Sequence, residues 1–81
     1  MMKVTAADLR ALLQSGAGTN LVLEGGQVLV VPPGQAAEHE GALTVASWED
    51  VRRRLGDDAQ DERALQEQAE ILTTEITELG A

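Results

Sequence analysis

The stretch Asn20-Leu21-Val22-Leu23-Glu24-Gly25-Gly26-Gln27-Val28-Leu29-Val30-Val31 decides the fold. Two β-branched and leucine-rich runs flank Gly25-Gly26, a two-residue loop that suits a primed turn. That loop sets the register: Leu23 faces Val28, Val22 faces Leu29, and Leu21 faces Val30. Both faces of the ribbon are therefore apolar. A half-exposed hairpin alternates apolar and polar residues, so this one has to be covered on both sides or paired with another chain.

Outward from the hairpin, the preceding segment predicts a helix over Ala6 to Ser15. Thr5 caps it, Asp8 is the reciprocal partner three residues on, and Val4 staples onto Leu9. Leu9, Leu12 and Leu13 share one face. Gly16 supplies the stop. On the other side, Pro32-Pro33-Gly34 ends the second strand, because proline cannot donate to a ladder. A polar connection to about Gly41 leads to a third strand, Ala42–Ala46. Ser47 then caps a second helix with Asp50 as its partner, Trp48, Val51 and Leu55 form its apolar stripe, and Gly56 ends it.

From Asp57 the character changes. Residues 57–81 carry eight acidic side chains against the single basic Arg63. A helix capped by Asp57 or Asp58 is expected from about Ala59 to Leu79. Its Leu65, Ala69, Leu72, Ile76 and Leu79 follow the 4-3-4-3 spacing of a bundle or coiled-coil seam, and Ile71 falls off it. At about 30 Å such a helix looks too long for a small core to cover, which leaves the seam for a partner. The fold class expected is α+β: a small single domain of helix, hairpin, strand and helix over residues 1–56. The acidic helix of residues 57–81 follows, either in the same domain or as an oligomerisation arm.

Composition narrows function. The chain has 81 residues, a net charge of −8, no Cys, no Phe or Tyr, and one Trp. Disulfides, thiolate metal sites and cysteine nucleophiles are excluded, and so is a stacking platform for several bases. Glu38-His39-Glu40 holds the only histidine, and no second His or Cys exists to complete a zinc sphere. It reads as an exposed polar loop with no orienting carboxylate. No phosphate-loop glycine motif occurs, and Gly25-Gly26 and Pro33-Gly34 are turn residues. No hydroxyl sits in a nucleophile elbow, so no enzyme, no catalytic residue, no metal and no cofactor are expected. Arg52-Arg53-Arg54 is the one basic cluster. It can contact phosphate, but its place in the last turn of a helix, where the macrodipole favours cations, is the favoured account in so acidic a chain. Arg52 also lies one turn from Trp48, close enough for a cation–π contact. With no apolar run at the start and none of membrane-spanning length, a cytoplasmic location is the expectation. Arginine-rich, Ala- and Gly-rich usage suggests a GC-rich bacterial or phage genome.

The run Met2-Lys3-Val4-Thr5-Ala6-Ala7-Asp8-Leu9-Arg10-Ala11-Leu12-Leu13, with the hairpin at Leu21–Val31, resembles the N-terminal half of Phd/YefM-type antitoxins. The likeness covers about 30 of the 81 residues. It implies a unit that dimerises on operator DNA, with Arg10 as a DNA contact, and a C-terminal segment that wraps a toxin. The chain departs from that pattern in its glycine turn, its Pro-rich loop and its third strand.

The function expected from the residues is a non-catalytic protein–protein interaction or assembly module. It self-associates, as a dimer, through Leu65, Ala69, Leu72, Ile76 and Leu79, and a basic protein is a further partner. The alternative is a small DNA-binding regulator or antitoxin, with Arg10, Arg52, Arg53 and Arg54 as contacts to nucleic acid or to an acidic partner. A phage or viral accessory protein is a further alternative. Binding to random DNA is not expected at this charge.

Overall fold

Thr5 stands in extended backbone ahead of helix α1 (Ala6–Ser15), and its hydroxyl accepts the Asp8 N–H at 3.1 Å. The Asp8 carboxylate accepts the Thr5 N–H at 2.9 Å, which completes the capping box. Gly16, at φ 90°, ends the helix where an L side chain is strained. The computed structural model describes residues 3–78. Strands β1 (Asn20–Glu24) and β2 (Gln27–Val31) pair in the register set by the loop, with Leu23 opposite Val28 and Leu21 opposite Val30. Gly25 and Gly26 both have positive φ, 59° and 79°, as a type I′ turn requires.

Strand β3 (Leu43–Ser47) pairs with the other side of β1, so the antiparallel order is β2-β1-β3. It starts one residue later than the pattern predicts, because Ser47 both pairs with Asn20 and caps α2. Val45 is the extra residue of a bulge between the Leu21–Ala46 and Val22–Thr44 pairs. The connection expected to be an irregular polar loop winds into a 3-10 segment, Pro33–His39, opened by the preset φ of proline at its first position.

Helix α2 (Trp48–Leu55) begins at Ser47, whose hydroxyl accepts the Asp50 N–H at 3.1 Å. Gly56, at φ 54°, ends it. A short 3-10 turn, Gly56–Asp58, precedes helix α3 (Glu62–Glu78). The start of α3 corrects the expectation. Asp61, not Asp57 or Asp58, meets the first-turn donors, its carboxylate accepting the Arg63 N–H at 3.1 Å. The two earlier aspartates are used up in the turn. The helix has 17 residues, about 26 Å at 1.5 Å per residue, and a domain measuring 32 × 28 × 17 Å accommodates it.

All three helices share one core with one face of the sheet. Val4, Leu9, Leu12, Leu21, Leu23, Ala46, Val51 and Leu55 meet Leu65, Ala69, Leu72 and Ile76 there. Residues 57–78 are therefore part of the domain begun by residues 3–56. The opposite face of the sheet carries Val22 and Val31, which are also buried. The chain crosses that side at the 3-10 segment: His39 Nδ1 lies 3.0 Å from Glu24 Oε1, on the same face as Val22. The two-sided apolar hairpin is thus covered on both sides, by helices on one and by residues 33–39 on the other.

Candidate functional site

The expected seam is the first residue set to locate. Leu65, Ala69, Leu72 and Ile76 are 1%, 3%, 0% and 2% exposed, because α3 packs on α1 and β3 of its own chain. The expectation that they stand bare for a partner is corrected: α1 supplies the apolar surface that the length argument assigned to a second molecule. Leu79 lies outside the described residues. What α3 shows to solvent is Ile71, 46% exposed, among the exposed carboxylates Glu67, Glu70 and Glu78.

The arginines separate into two groups. Arg53 and Arg54 both turn to Asp50, at 3.7 and 3.4 Å, and Arg54 also reaches Glu75 at 3.8 Å. These two tie α2 to itself and to α3. Arg10 and Arg52, 42 positions apart, instead line one cleft between α1, α2 and the start of α3. Its volume is about 500 Å³, within the range of pockets that hold small ligands or a few peptide residues. Leu13, Trp48 and Leu65 form its apolar wall, and Gln14 and Gln60 bring amides.

Each cleft side chain is held differently. The Trp48 indole N–H donates to the Leu13 carbonyl at 3.0 Å, which locks the ring between α1 and α2. The Trp48 backbone N–H donates to Thr19 O at 2.9 Å, fixing the start of α2 against the loop before β1. Arg52 sits over the indole face, its guanidinium carbon 5.9 Å from the ring centroid. Arg10 pairs with Glu62 at the first turn of α3, so a DNA contact by Arg10 would have to break that pair. Among the described residues Arg52 is the one arginine with no carboxylate within salt-bridge distance.

His39 also differs from expectation. It is half-buried and has an orienting carboxylate, Glu24, on a defined strand. Sequence reasoning missed the pair because its 15-residue separation reflects the route of the 3-10 segment, which no local pattern encodes. Among the described residues, no group of three or more His, Asp or Glu side chains is placed to hold a metal ion. No described helix is long and apolar enough to cross a membrane.

The sheet contributes one more surface. Strands β3 and β2 are both edges; β3 is interrupted by the bulge at Val45, whereas β2 is regular, and no described strand pairs with the outer side of β2. Strand β2 contains no charged residue and no proline, the usual devices that blunt an edge. Comparison with family models, curated proteins and solved structures finds no match to this chain.

Proposed function

We propose that the protein is a non-catalytic assembly module that self-associates through the outer edge of β2. The observation that carries this reading is the uncharged strand Gln27–Val31, whose outer edge pairs with no described strand, in a chain of net charge −8. A two-residue turn is closed by a hydrogen-bonded pair, here Glu24 and Gln27. Antiparallel pairs alternate, so Val28 and Val30 direct their backbone N–H and C=O away from β1. Two copies of β2 meet about a twofold axis at Leu29, Val28 of each opposite Val30 of the other. All four outward N–H groups then find acceptors. The same register continues the Val28 and Val30 rows across the joint, an isologous contact.

The interface is small. Five residues extend about 17 Å, and the area they bury falls short of the roughly 1,200 Å² of stable interfaces. Association is accordingly weak and concentration-dependent. Amide exchange on the unmodified protein tests it: protection of Val28 and Val30 amides should rise with protein concentration while neighbouring amides stay constant. Val30→Pro removes an outward donor and leaves the β1 ladder intact, so it should yield a folded monomer by light scattering. Concentration-independent exchange at Val28 and Val30 would overturn the reading.

A further inference from the structure

Arg52 is the starting point. The cation–π contact with Trp48 uses no N–H donor of the guanidinium, and no carboxylate of the described chain takes those donors. The chain has fourteen acidic residues, and the other arginines, Arg10, Arg53, Arg54 and Arg63, each have found one. Arg52 is held ready over a ring that is itself fixed by the Leu13 carbonyl.

The surroundings define what those donors can take. Arg10 adds a second guanidinium whose single charge Glu62 already balances, so the excess comes from Arg52. The cleft thus carries a small positive excess, enough for one carboxylate. The half-buried Leu13 and Ala59 offer apolar surface beside it, and the Gln14 and Gln60 amides can meet a peptide backbone. A polyanion is disfavoured, because Glu62 already occupies Arg10 and the whole chain is negative.

We propose that the cleft between α1, α2 and the start of α3 binds a peptide segment of a partner protein. The segment places a carboxylate on Arg52 and a neighbouring apolar side chain against Leu13 and Ala59. This site lies among the helices and does not depend on pairing at β2.

Trp48, the only tryptophan, reports on the cleft directly. The probe is an acetylated, amidated hexapeptide alternating leucine and glutamate, titrated while Trp48 emission is followed and repeated by calorimetry. Saturable binding is expected, at least tenfold weaker for the same peptide with glutamine in place of glutamate. Arg52→Gln should weaken binding at least tenfold. Arg53→Gln, which alters a side chain outside the cleft, should leave it unchanged. The proposal fails if the two peptides bind alike, if Arg53→Gln costs as much as Arg52→Gln, or if no binding is detected. It fails equally if a single-stranded oligonucleotide binds Arg52-dependently and more tightly than the peptide.

Discussion

Val4 and Thr73, 69 positions apart, are joined by a hydrogen bond of 2.9 Å from the Val4 N–H to the Thr73 hydroxyl. That hydroxyl donates in turn to the Ala69 carbonyl at 2.8 Å. The bond fastens the segment before α1 to the middle of α3. Thr73→Val keeps the shape and strands the buried Val4 N–H, so it should cost about 1–3 kcal/mol. Urea denaturation checks this, and Thr73→Ser should recover most of the loss.

Leu72 distinguishes a core helix from a docking helix. Its side chain is fully buried within the domain, so Leu72→Ala should destabilise by about 2–5 kcal/mol. Leu72→Asp should unfold the chain, with loss of the far-ultraviolet helical signal. A folded Leu72→Asp protein would contradict the packing of α3 described here.

The turn offers a contrast between backbone and space. A Cβ at Gly25 or Gly26 meets nothing within 4 Å, so only the positive φ matters. Gly26→Ala should cost about 1 kcal/mol, as left-handed backbone does for L residues. Gly25→Asn should be nearly neutral, since asparagine tolerates that conformation. Thermal melts of the two variants give the comparison.

Salt should favour self-association. Two copies of net charge −8 repel, and the screening length falls from about 30 Å at 0.01 M to about 8 Å at 0.15 M ionic strength. Sedimentation at the two ionic strengths should show a larger dimer fraction at the higher one.

His39→Ala removes the bond to Glu24, whose carboxylate is 40% exposed. A partly exposed pair of this kind contributes at most about 1 kcal/mol. The variant should therefore remain folded, with a small shift in the urea midpoint and unchanged association.

Much of the fold was legible because its signals are local. Thr5 with Asp8 and Gly25-Gly26 each act within four residues and appear as read; Ser47 caps α2 as read, but the Asp50 carboxylate turns to Arg53 and Arg54 instead of returning to the Ser47 N–H. The Arg52–Trp48 stack is one helical turn and was legible for the same reason. Where α3 packs was not. A 4-3-4-3 spacing states that a face is apolar and says nothing about whose surface covers it. That answer depended on α1, whose Leu9 and Leu12 lie more than fifty positions from Leu65. The cleft is hidden likewise: in the sequence Arg10 belongs to the first helix and Arg52 to the end of the second, with no local pattern linking them. Only the crossing of α1 and α2, fixed by the Trp48 indole on Leu13, brings them to one cavity.

The two-sided covering of the hairpin has a consequence during synthesis. A hairpin closes in about 1–10 μs, whereas translation adds roughly 5–20 residues per second. Strands β1 and β2 are therefore paired long before Pro33–His39, α2 and α3 have left the ribosome to cover them. For that interval Leu21, Leu23, Val28 and Val30 have only α1 against them, and Val22, Leu29 and Val31 are bare on the other side. The nascent chain is then a short, sticky ribbon with an open edge, the kind of segment that seeds aggregates. The acidic run that begins at Asp57 emerges after β3 and α2, so the chain acquires most of its repulsive charge before α3 docks. The order of residues along the chain thus places a solubilising stretch downstream of the segment most in need of one.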